Sequence, residues 1–174
     1  LLLRKNFGSA VSLSAGPAFQ FYGFDTDDNF GRYVLQTGIN GLNAATLFKS
    51  KSYLGGQLSL GIDTRNNKAL PSRGINWQTN FRMLSGLNNV SNQLTQLNSD
   101  LSFFMSFSTP ANVVIATRFG GGINFNKDFE FFQAQYLGGT DNLRGFRKYR
   151  FTGKSMLFNN TELRIKLADF RTYI

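Results

Sequence analysis

The chain has 174 residues, with 19 Lys and Arg against 10 Asp and Glu, and it contains neither Cys nor His. Those absences exclude a disulfide framework, a thiol nucleophile, the common zinc sites and any Ser-His-Asp arrangement, and the carboxylates are too scattered for close-spaced acid–base or metal chemistry. No catalytic residue, metal or cofactor is therefore expected in this segment. The net charge of +9 serves solubility in the plain reading and an anionic partner (nucleic acid, lipid A or anionic lipid) in the sharper one; Arg144, Arg147, Lys148, Arg150 and Lys154 concentrate it in one stretch.

The chain carries 18 Gly, 19 Phe, 6 Tyr and 1 Trp but only 3 Pro. No run of about 18 apolar residues occurs, so no transmembrane helix is expected. The dominant pattern is alternation with period 2. From Val11 to Phe21 the apolar set is Val11, Leu13, Ala15, Phe19 and Phe21, against Ser12, Ser14, Gly16 and Gln20. A loop, Asp25–Lys51, follows; within it Tyr33, Leu35 and Ile39 hint at another strand, but Arg32–Asn40 reads better as loop, with local structure near Leu42–Phe48.

Strands are then expected over Tyr53–Asp63 (Leu54, Leu58, Leu60 and Ile62 on one face) and Gly74–Leu84 (Ile75, Trp77, Phe81 and Met83). Two more follow, one with Leu97, Leu101, Phe103, Met105 and Phe107 in phase and Phe104 out of it, the other with Val113, Ile115, Phe119, Ile123 and Phe125 opposed by Arg118 and by Gly120 and Gly122, read as a glycine kink in a curved strand. The last runs from about Met156 to Ala168, with Leu163, Ile165 and Leu167 opposite Asn160, Glu162, Arg164 and Lys166.

These strands run about 10–14 residues, whereas soluble strands average about 5–6 and a tilted bilayer crossing needs about 9–11. Alternation alone does not say which face is inside, because a lipocalin-like barrel would turn its apolar set inward. The connections are read as those of a membrane barrel, with Thr64–Arg73 and Ser108–Asn112 as turns at one end and Asp25–Lys51, Ser85–Gln93 and Asn126–Lys154 as loops at the other. Trp77, Phe81, Phe103 and Phe107 then belong to the lipid-facing wall. The fold class expected is all-β, an antiparallel transmembrane β-barrel, here partial. About six strands cannot close, since an open edge in lipid leaves backbone groups unpaired. Together with the Leu1-Leu2-Leu3 start and the Tyr173-Ile174 end, this makes residues 1–174 an expected piece of one larger barrel domain, partnered by strands outside it.

The most specific stretch is Leu137-Gly138-Gly139-Thr140-Asp141-Asn142-Leu143-Arg144-Gly145-Phe146, followed by Gly153 and by Glu162-Leu163-Arg164 on the next strand. This resembles the signature of the Omp85 (surface antigen D15) superfamily, to which BamA/TamA-like barrels belong: a Gly-Gly pair, an aliphatic-Arg-Gly-aromatic tetrapeptide, then Glu-Leu-Arg. Asp63-Thr64-Arg65 with Pro71-Ser72-Arg73-Gly74 resembles a second family pattern, at a periplasmic hairpin. The resemblance spans about Val11 to Leu167.

It implies a sixteen-stranded barrel in the bacterial outer membrane whose sixth extracellular loop, here about 126–154, folds into the lumen. Leu143, Arg144, Gly145 and Phe146 would be the inserted tetrapeptide and Glu162 the acid on the wall; a second acidic partner of the family lies on a strand this chain does not contain. Gly138, Gly139 and Gly145 would let the loop bend, and Phe146 would wedge against the wall. The partners implied are outer-membrane lipid, unfolded outer-membrane proteins and subunits of an assembly complex. Insertion of outer-membrane proteins or polypeptide translocation is the function implied. The alternative is an anchor for a fused enzyme, such as a calcineurin-like phosphoesterase or a patatin-like lipase. A soluble basic β-domain that stacks nucleic acid on its aromatics is a remote third reading. It is disfavoured because the Phe positions oppose the polar ones, so no nucleic-acid partner is expected.

Overall fold

The computed structural model describes residues 2–25, 27–32, 35–36, 44–107 and 113–167. The expected turn at Ser108–Asn112, most of Arg32–Asn40, Leu42 and the strand end at Ala168 lie outside them. A short strand, β1 (Leu3–Phe7), and a long one, β2 (Val11–Tyr22), are followed by a one-turn helix, α1 (Ala44–Leu47). The strands β3 (Lys51–Asp63), β4 (Gly74–Gly86), β5 (Leu94–Ser106) and β6 (Val113–Asn124) come next. A 3-10 turn (Phe131–Gln133), the pair β7 (Gln135–Leu137) and β8 (Phe151–Gly153), and β9 (Ser155–Ile165) complete the described chain.

Seven strands form one antiparallel sheet in the order β1-β2-β3-β4-β5-β6-β9, open at both edges, and β7-β8 form a separate hairpin. The sheet is thus one strand larger than the six expected. The addition, β1, is only five residues long and begins Leu3-Arg4-Lys5, too short and too charged for alternation to stand out. The expected contrast in connection length holds only in part: residues 8–10 are a tight turn at one end and residues 125–154 a long loop at the other, but the β3–β4 connection at the first end (64–73) is three residues longer than the β4–β5 connection at the second (87–93).

Register decides the faces. Leu13 pairs with Leu60, Leu60 with Thr79, Phe81 with Leu58 and Leu97, and Leu101 with Phe119, so the apolar sets of successive strands fall on one side. That side is open: Phe19, Phe21, Leu58, Phe81, Met83, Phe103, Phe119 and Leu163 are 36–65% exposed. A soluble protein could not leave so continuous an apolar band in water, whereas a bilayer is its natural surrounding. Polar side chains on this side satisfy one another: Asn159 donates to Thr117 Oγ1 at 3.0 Å and accepts from Thr161 at 3.1 Å, and Trp77 Nε1 donates to Ser99 at 2.9 Å.

The opposite, inner side carries Ser, Gly, Asn and Gln. Phe104 breaks the alternation because it faces inward, opposite Ala116, where the Arg164 guanidinium stands 5.8 Å from its ring. Val114 and Ala116, apolar residues that alternate out of phase with Val113 and Ile115, are buried on this same inner side. The only described hydrophobic cluster of buried residues, Tyr53, Leu84 and Leu94, also lies there, capped by Phe129 and Phe132 from the long connection after β6.

Candidate functional site: the loop against the inner wall

The connection between β6 and β9 leaves the long-loop end of the sheet and lies along its inner side. Its base is fixed first. Glu130 Oε2 meets Lys51 Nζ at 2.6 Å, and Lys51 is 1% exposed. The Phe132 ring stacks on Tyr22 at 4.0 Å. Asn124, fully buried at the end of β6, donates to Gln133 O at 2.9 Å and accepts from Gln96 at 2.8 Å and Gln135 at 3.2 Å. Gln135 reaches the wall because Gly122 has no side chain: a Cβ there would stand 2.3 Å from Gln135 Oε1.

The hairpin β7-β8 then carries the chain toward the tetrapeptide. Gly138 and Gly139 have φ of +129° and +91°, and a Cβ on Gly138 would lie 2.1 Å from Arg147 O. Only glycine makes this bend at so close an approach. Asn142 closes it, accepting from Gly138 N–H and donating to Tyr136 O, both at 2.8 Å. Gly139 N–H donates to Phe146 O at 3.0 Å across the turn, and Gly145 has φ +90°. Gly153 lies in β8 with no positive φ. Burial raises the Tyr136 phenol above its ordinary range, with a smaller contribution from Tyr149.

Three wall residues hold the turn. Arg118 Nη1 donates to Asp141 O at 2.7 Å while its Nε and Nη2 grip Asp100 at 2.5–2.9 Å. Asn160 Nδ2 donates to Asn142 O at 3.2 Å. Arg144 Nη1 lies 3.2 Å from Glu162 Oε1, and Arg164 Nη2 lies 3.1 Å from Oε2 of the same carboxylate. A cavity of about 120 Å³ remains between this turn and the wall, lined by Phe104, Ala116, Arg144 and Glu162 among others. Glu162 follows Ser155 by seven positions on β9, so at about 3.3 Å per residue the acid that Arg144 reaches lies about 23 Å along the strand from its upper end.

The structure therefore brings Arg144 and Glu162 together. Phe146 does not wedge against the wall as expected: it is half exposed and its ring lies 5.5 Å from Phe151, so its aromatic partner is the loop's own hairpin. Leu143 is half-buried and bridges Gly139. Gly120 to Gly122 act less as a kink than as a socket, since a Cβ on Gly120 would lie 2.1 Å from the Phe158 ring. Sequence reasoning missed Asp100–Arg118, Asn142, Arg164 as a second claimant on Glu162, and Lys51–Glu130. Alternation puts Arg118 and Arg164 on a polar face, but only strand register says which side chains meet there.

At the other end, Arg65 and Asp63 form a bidentate pair, Nε to Oδ1 and Nη2 to Oδ2, both 2.8 Å. Those hydrogen bonds hold the Arg65 guanidinium still more firmly protonated. Gly74 has φ +105°, and a Cβ there would lie 2.4 Å from Thr64 O. Pro71 is buried, and the backbone of Arg73 closes the turn on Asn66.

Residues 5–173 match the Omp85 superfamily domain. The chain belongs to the Omp85 superfamily. No curated protein sequence matches it significantly. Among solved structures, BamA from Haemophilus ducreyi lacking POTRA domains 1-3 superposes with a TM-score of 0.68 at 16% identity, over 98% of this chain and 37% of that chain. The likeness is one of fold, and the Omp85 chain described here spans little more than a third of the length of that protein. The seven-stranded open sheet is accordingly part of an Omp85 barrel, and the Arg144 loop lies against the sheet's polar face.

Proposed function

We propose that this Omp85 segment carries the lumen-plug loop, residues 126–154, of a bacterial outer-membrane barrel that inserts other outer-membrane proteins or moves polypeptides across that membrane. The observation that carries the reading is the loop's course: it spans most of the wall's height and ends with Arg144 on Glu162. Family membership supports the polypeptide-handling role. The chemistry is templating. A barrel opened at a seam offers unpaired backbone N–H and C=O groups to an incoming strand, which pairs in preference to leaving its own groups bare in lipid. The loop's grip on β5, β6 and β9, through Arg118, Asn160 and Glu162, keeps that part of the wall ordered while the seam works elsewhere.

The test is reconstitution of the full-length protein in liposomes with an unfolded outer-membrane protein as substrate. Protease-protected substrate should accumulate faster than in protein-free liposomes, and Arg144→Ala should slow it several-fold. A barrel that folds but adds nothing to the lipid-only rate would overturn this reading and leave an anchoring role for the barrel.

A further inference from the structure

The described carboxylates on the inner wall are answered by cations: Asp100 by Arg118, Glu162 by Arg144 and Arg164, and Glu130 of the loop by Lys51. The converse does not hold. Arg82 sits in β4 on the inner side, in a cross-strand row with Gln57 and Gln96, and among the described residues it has no carboxylate or hydrogen-bond partner. Its half-buried side chain lines a cavity of about 280 Å³ that the loop closes from the other side with Phe132 and Gln133.

Two more groups in that cavity are unanswered. Gln20 Oε1 and Gln133 Nε2 are buried without a hydrogen-bond partner, and both residues line the same space as Arg82. Gln133 is 4% exposed, and its Oε1 already accepts from Glu130 N–H at 3.1 Å, so its Nε2 faces the neighbouring Tyr53 hydroxyl with one N–H and keeps the second for a further acceptor. Gln96 is not available, since its Nε2 is shared between Asn124 Oδ1 and Gln133 O.

The cavity thus presents a guanidinium fork, one N–H donor from Gln133 and the Gln20 amide. We propose that it is a binding site for an acidic residue within an extended polypeptide. The Asp or Glu carboxylate pairs with Arg82, the peptide C=O accepts from Gln133 Nε2, and a peptide N–H donates to Gln20 Oε1. The Gln20 amide meets a peptide N–H with its oxygen or, turned over, a peptide C=O with its nitrogen, so a peptide fits it in either orientation, and the acetate probe separates a peptide from a free oxyanion. The proposal rests on the reading of the barrel as one that handles polypeptide, and it names where the lumen wall would touch such a chain.

The experiment is calorimetry on the full-length protein in detergent micelles with three probes: the peptide Gly-Ser-Asp-Ser-Gly, its Gly-Ser-Asn-Ser-Gly counterpart, and acetate. The Asp peptide should bind about tenfold more tightly than the Asn peptide, the scale of one charge-assisted pair. Arg82→Gln should abolish that preference and Arg82→Lys should keep most of it, with heat-modifiable gel mobility showing that both variants fold. Gln133→Leu should weaken both peptides alike. Equal binding of the two peptides, or an Asp preference that survives Arg82→Gln, overturns the site. Acetate competing as well as the Asp peptide overturns its peptide character. Insertion of substrate without any Asp preference sinks the site alone; an Asp preference without insertion sinks the proposed function alone.

Discussion

Arg144 and Glu162 meet at 3.2 Å although one belongs to a loop and the other to the sheet, and Arg164 holds the second oxygen of the same carboxylate at 3.1 Å. One acid answers two guanidiniums, so the loop competes with its own wall for an anchor. The Arg144 side chain is 72% exposed, which places the pair near the weak end of the range for ion pairs, about 0.5–1 kcal/mol. A double-mutant cycle with Arg144→Ala and Glu162→Ala, read by urea unfolding in micelles, should show coupling of that size. Arg164→Ala should enlarge it by removing the competitor. Strictly additive single changes would dispose of the pairing.

Lys51 and Glu130 present the opposite case. Lys51 is 1% exposed and Glu130 16%, so their attraction is barely screened. Removing one partner of a buried pair costs about 3–5 kcal/mol, and the residual exposure of Glu130 puts Lys51→Met near the lower end. The charge left behind should free the loop base, seen as tryptic cleavage at Lys127 in the folded barrel. Lys51→Met combined with Glu130→Leu should restore most of the protection, because no unpaired charge then remains buried.

Gly120 and Gly138 test whether the wall is shaped to receive the loop and its supports. A Cβ on Gly120 meets the Phe158 ring at 2.1 Å, and one on Gly138 meets Arg147 O at 2.1 Å with φ already at +129°. Gly120→Ala should cost about 1–3 kcal/mol through overpacking. Gly138→Ala adds backbone strain of about 1–3 kcal/mol and should displace the tetrapeptide. Loss of a cross-link between cysteines placed at Arg144 and Glu162 reads that displacement; retention at the wild-type rate in the Gly138→Ala background would contradict it.

Phe81 and Asn80 are neighbours on β4 that face opposite ways. A lysine on the lipid side near mid-bilayer costs about 2–4 kcal/mol, whereas the lumen side tolerates one. Phe81→Lys should therefore lower stability in lipid vesicles by about that amount, and Asn80→Lys by under about 1 kcal/mol. The reverse order would mean that the apolar side chains point into a dry interior.

Much of the wall is legible in the sequence. The alternation from Val11 to Phe21 became β2, and the pattern around Trp77 and Phe81 became β4 with two further residues at its end. Period 2 is a local property, written in each strand by its own neighbours, so it survives reading one residue at a time. β1 was lost because Arg4 and Lys5 interrupt so short a run, and β7 and β8 because three residues carry no period.

The amino-acid sequence by itself determined that long alternating strands exist, that Leu143-Arg144-Gly145-Phe146 is a loop motif, and that Glu162 shares a polar face with Arg164. Only the tertiary structure decided that Arg144 reaches Glu162, that Arg118 bridges Asp100 to the loop backbone, that Phe146 packs on Phe151, and that Arg82 meets no answering charge among the described residues. The physical reason is register and loop course. Which polar residue on one strand faces which on the next depends on a slip of single residues, and where a long loop comes to rest depends on the sum of many small contacts.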